Sequence, residues 1–176
     1  MDLAMLVLRV LVGALFVGHG VQKLFGWFGG HGVQGTGAFF ESQGMRPGKV
    51  MAILAGLSEL AGGLLFALGL VTPLGAALLT AVMLVAIWSV HRANGLWITD
   101  GGFEYNLVLA AIAFAVTAAG PAAWSLDRAW SIDLAGYGWA LAELGAGLAG
   151  SLLALGMSWL AARRGQHHGG AAVAGA

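Results

Sequence analysis

His19, Gln22 and Lys23 stand at i, i+3 and i+4 near the end of an apolar run, so a helix places them on one face within about one turn. An imidazole, a carboxamide and an ammonium grouped in this way can donate protons and hydrogen bonds to a shared ligand. Phe25, Trp27 and Phe28 follow at once, as expected where a helix leaves hydrocarbon for the headgroup layer. Three further ionisable residues punctuate later apolar runs: Glu59, His91 and Glu104. If successive spans run antiparallel, the end of span one, the start of span two, the end of span three and the start of span four meet at one membrane face. His19, Gln22, Lys23, His91 and Glu104 then lie together, with Glu59 about 13 Å deep by helix rise and open to the same side. An ionisable group at that depth costs several kcal/mol unless it is paired, and such groups usually mark a site or a pathway.

The rest of the chain supplies the frame. Of 176 residues, 59% are hydrophobic and only 9% are charged, and the mean hydropathy is +0.85, which places the chain among integral membrane proteins. Eight basic residues balance eight acidic ones, so no net field recruits nucleic acid. The absence of cysteine removes disulfides, thiol redox pairs and thiolate metal or cluster sites. The first run carries Asp2, has no basic flank and shows no small-residue cleavage site, so it reads as a retained span and not as a cleaved leader.

Five spans are expected, at residues 3–25, 50–70, 73–92, roughly 104–119 and 137–162. Residues 107–119 alone would reach only about 20 Å, which draws Glu104, Tyr105 and Asn106 into the first turn of span four. The loop 27–49 should hold a short interfacial helix at 38–43, stopped by Gly44 and Pro47. Its Gly30 to Gly35 stretch matches a GxGxxG pattern but follows a membrane helix, not a strand, so the dinucleotide reading lacks its context. Thr72 is placed to cap span three ahead of Pro73. Ala142, Ala146, Gly150, Ala154 and Ser158 recur every four residues along span five and predict its packing face. Lys23, Arg46, Lys49, Arg92, Arg163 and Arg164 gather at one side, which sets the N-terminus outside and the C-terminus in the cytoplasm.

Structural readings stand beside the chemical ones. Lys23 paired with Glu59 or Glu104 would hold helices in register, His91 could cap a helix end, and Tyr105 could anchor at the interface. Arg9 and Glu143, at similar depth near the opposite face, could pair. The tail's His167 and His168 offer too few ligands for a metal site.

The string from His19 to Gly30, Glu59, His91-Arg92-Ala93-Asn94-Gly95, Glu104-Tyr105-Asn106, and Gly120-Pro121 followed by Ser125-Leu126-Asp127 resembles the DoxX family. The resemblance implies an all-α, polytopic four-helix core over residues 1–127, in a bacterial or archaeal inner membrane. Residues 128–164 would add a connection and a fifth, C-terminal transmembrane helix, and 165–176 a disordered Gly/Ala/His tail. Some members of that family serve in thiosulfate:quinone oxidoreductase, and one assembles with soluble detoxification enzymes. The resemblance therefore implies a quinone held by Gln22, Tyr105 and Asn106, with Glu59, Lys23, His19, Glu104 and His91 moving protons, and soluble redox partner proteins or a homo-oligomer around it. The competing expectations are a scaffold docking partners through loop 27–49, a proton or small-solute carrier through Glu59 and Glu104, and haem b between His19 and His91. No metal ion is expected.

Overall fold

The computed structural model describes residues 2–173, with side chains described to Arg164. Its elements are α1 (Asp2–Phe25), α2 (Gly32–Ser42), α3 (Gly48–Leu68), α4 (Thr72–Ala86), α5 (Glu104–Ala119), a single-turn α6 (Leu126–Ala129) and α7 (Tyr137–Val173). Among the described residues, four helical runs are long and apolar enough to cross a bilayer: Asp2–Phe25, Gly48–Leu68, Thr72–Asn94 and Tyr137–Arg164. At 16 residues α5 reaches only about 24 Å. It does begin at Glu104, so Glu104, Tyr105 and Asn106 form its first turn.

Glycine decides how closely α1 and α3 approach. Gly13 and Gly20 on α1 meet Gly63 and Gly56 on α3, and a Cβ on Gly13 would fall 2.5 Å from the Gly63 carbonyl oxygen. In lipid, where apolar surface gives no hydrophobic drive between helices, such backbone contact supplies the attraction. The sequence leaves open whether Gly62 and Gly63 make room beside Glu59 for a helix or for a ligand. Helices fill it, Gly63 against α1 and Gly62 against Leu78 and Leu79 of α4. Below this seam Phe16, Phe66, Leu79 and Val116 close the core between α1, α3, α4 and α5. The outer surface of α7 carries Leu141, Leu152 and Leu153, all exposed to what would be acyl chains.

Four sequence expectations change. The interfacial helix starts at Gly32 instead of residue 38, because its glycines fit against neighbours: a Cβ on Gly37 would press on the backbone of Lys49. Thr72 does not cap α4. The carboxylate of Asp127, from α6, does so, accepting from Val71 N (2.6 Å), Thr72 N (3.0 Å) and the Thr72 hydroxyl (2.6 Å). The packing face of α7 runs through Ala140, Glu143, Gly147 and Ser151 to Ser158, whereas Ala142 and Ala146 face outward. Gly147 is the true close contact, since a Cβ there would lie 2.8 Å from Thr80. Arg9 and Glu143, finally, take separate partners: Arg9 donates to the Trp124 carbonyl (2.5 Å) and Glu143 accepts from the Thr80 hydroxyl (2.5 Å). α7 continues past Arg164 to Val173, and the side chains of His167 and His168 lie outside those described.

Candidate functional site

Lys23 occupies the last turn of α1 and Glu59 the middle of α3, and the glycine seam between the helices lets them meet. The Lys23 ammonium donates to both carboxylate oxygens of Glu59, at 2.6 Å each. Glu59 is 2% exposed, while the Lys23 side chain keeps 22% of its surface. Bidentate contact with one ammonium offsets much of the desolvation of a carboxylate at this depth.

The pair forms part of the wall of a cavity of about 570 Å³, within the range of small-molecule sites. His19, Lys23, Ser58, Glu59, His91, Tyr105 and Asn106 give it a polar end between α1, α3, α4 and α5. The remaining lining is apolar, from Phe16 and Leu109 to Met51, Leu54 and Ala81. His91 closes a single π-helical turn, Ile87–His91, that continues α4, a distortion that often accompanies functional positions. Its Nδ1 lies 2.8 Å from the Gly101 carbonyl oxygen, which fixes the ring against the following loop. Asn106, 6% exposed, reaches the Met83 sulfur at 3.4 Å. His19 and Tyr105 are exposed and sit at the rim.

Two expected members stand apart from this cavity. Gln22 donates to the Phe28 carbonyl (3.1 Å) and supports the turn after α1. It lines a second hollow of about 420 Å³ with His31, Thr36 and Phe40, and Lys23 borders both spaces. Glu104 accepts from Ile98 N (3.0 Å) and so ties down the loop before α5. Among the described residues no three His, Asp or Glu side chains are grouped to hold a metal ion.

The sequence reading missed several lining residues. Phe39, Phe40 and Met45 enter because α2 folds back over the cavity, and Gly150, Leu153, Ala154 and Met157 enter from α7. Ser58 carried a signal, as a second polar residue beside Glu59 in an apolar run.

The chain matches the DoxX family over residues 4–92, which takes in α1 to α4 and, of the expected site, His19, Gln22, Lys23, Glu59 and His91. It is 32% identical over 116 residues to the Bacillus subtilis (strain 168) protein named "Putative oxidoreductase CatD", covering 66% of this chain and 80% of that protein. No solved structure matches it significantly. Together with its long apolar helices, these matches make the chain a member of the DoxX family and a multi-pass membrane protein.

Proposed function

We propose that this protein is the membrane subunit of a redox system and binds a quinone with its headgroup at the polar end of the cavity. The observation that carries the proposal is the Lys23–Glu59 pair, its carboxylate buried among apolar helices yet bordering a mostly apolar cavity. A pair serving helix register alone would be replaced by apolar side chains at little or no cost to stability. The Bacillus subtilis relative, whose name is "Putative oxidoreductase CatD", supports the same class of chemistry. The donor set suits the ligand: ammonium, imidazole and carboxamide N–H groups can reach carbonyl oxygens, and apolar walls receive the ring and its chain.

A bound quinone would take up two electrons and two protons. The Lys23 ammonium and the protonated form of His91, whose Nδ1 is held by the Gly101 carbonyl, each supply a hydrogen bond and one proton, and the Glu59 carboxylate holds the Lys23 side chain in place. Lys23 borders the outer hollow as well, so the amine left after proton transfer can be reprotonated from the interface. The electrons come from a soluble redox partner or a small reductant such as thiosulfate, because a cysteine-free chain has no thiol centre of its own. Basic residues at the Lys23 end orient that end, and the C-terminus, toward the cytoplasm. A reporter fused after Arg164 should give a cytoplasmic signal.

The direct test titrates a water-soluble, short-chain quinone analogue against the protein in nanodiscs. Saturable binding that weakens about tenfold or more in a folded Glu59→Gln variant is expected. Equal binding by both removes the headgroup site. The same sample answers the haem alternative, since His19 and His91 both line the cavity: a Soret band would favour it. If Glu59→Gln costs only stability and soluble partners are still recovered with the protein, the scaffold role is favoured.

A further inference from the structure

The cavity lining differs in polarity from helix to helix. The polar residues come from α1, α3, the end of α4 and α5, whereas α7 contributes only Gly150, Leu153, Ala154 and Met157, and with Leu54 of α3 and Leu78 and Ala81 of α4 these line an apolar limb. α7 lies outside the segment that matches the family, and two of its attachments flank the cavity. Gly147 packs directly against Thr80, and the Ser158 hydroxyl accepts from Arg46 N at 2.9 Å. Between those points, over about 16 Å of helix, α7 borders the cavity. Leu153 (69% exposed) and Met157 (50% exposed) line the cavity and face outward at once, so the limb opens sideways to the bilayer there.

We infer that this α3–α4–α7 limb is the subsite for the isoprenoid chain of the ligand, and that α7 sets which chain lengths the protein accepts. The inference rests on the quinone reading of the polar end and adds to it a lateral opening and a specificity element. Gly150 and Ala154 present only small groups to this space, and a Cβ on Gly150 would already come within 3.4 Å of Ala81, so larger side chains there would narrow it. An occupant with a polar head and a long apolar chain is the one chemistry that satisfies both ends of a single continuous space.

The test compares two quinone analogues sharing one headgroup, the first with a single isoprene unit and the second with a long isoprenoid tail, each titrated in nanodiscs against wild type, Ala154→Phe and Leu153→Trp. Leu153 already projects outward, so its variant should fold even if Ala154→Phe does not. The short-chain analogue should bind both variants within about twofold of wild type, and the long-chain analogue should lose about tenfold or more. Leu15→Trp, on the α1 wall of the cavity one turn before His19, should leave the chain-length preference unchanged. If folded variants weaken both analogues equally, or neither, or if Leu15→Trp is the substitution that excludes the long chain, the α7 subsite is wrong while the headgroup site stands. Failure of the short-chain analogue to bind wild type overturns the headgroup reading and this inference with it.

Discussion

Two buried carboxylates, Glu59 and Asp127, are 2% and 1% exposed, yet the bundle uses them in opposite ways. Asp127 spends its oxygens on two backbone N–H groups and a hydroxyl at the start of α4, and its own N–H donates to the Gly69 carbonyl at 2.8 Å. Arg9 lies within Coulombic reach and holds the Trp124 carbonyl. A Cβ on Gly69 would collide with that guanidinium. Everything around Asp127 is short-range and closed. Glu59 instead gives both oxygens to one flexible ammonium that is still partly exposed, at the edge of an open space. Partners fixed in the backbone make a latch, and a side-chain partner that can move away makes a site. Burial alone does not tell them apart.

Substitutions should separate the two. The largest loss of stability is expected from Asp127→Ala, which strips three donors of their acceptor and leaves Arg9 without its nearby charge: about 3–5 kcal/mol in a chemical unfolding series, with ligand affinity of the folded fraction unchanged. Glu59→Leu alone should cost less, about 1–3 kcal/mol, because Lys23 can extend toward the interface. An equal or larger loss than for Asp127→Ala would end the contrast. Gly20→Ala should cost a similar or smaller amount, about 1–3 kcal/mol, since its Cβ would sit 2.7 Å from Leu60 N and push α1 from α3 next to Lys23. It should therefore weaken ligand binding as well as stability. The smallest effect belongs to Tyr105→Phe at the cavity rim: stability within about 0.5 kcal/mol and a few-fold loss of headgroup affinity.

Much of the bundle was legible because hydropathy and length dominate in lipid. The helix ends at Phe25, Leu68 and Ala119 lie within two residues of those expected, and Glu104 opens α5 as the shortness of residues 107–119 required. Lys23, Glu59, His19, His91, Tyr105 and Asn106 could be assembled from antiparallel order alone. What escaped depends on rotation about a helix axis and on distant partners. Small residues on α7 recur on more than one face, so Ala142 and Ala146 read as packing positions when Gly147 and Ser151 hold that place. Glu104 looked like a site carboxylate because its depth was readable, but its bond to Ile98 N was not. Asp127 serves a helix start 55 residues away, and no local pattern announces a cap so remote.

The claim on which the account turns is that Lys23 and Glu59 are kept for a ligand and not for the fold. Replacing both, as Lys23→Met with Glu59→Leu, removes the charges and fills the space with apolar atoms. Unfolding and quinone-analogue titration of this double variant in nanodiscs should give stability within about 1 kcal/mol of wild type or higher, with saturable binding lost. A variant that binds the analogue as wild type does, or one that fails to fold while Glu59→Gln binds normally, would contradict it.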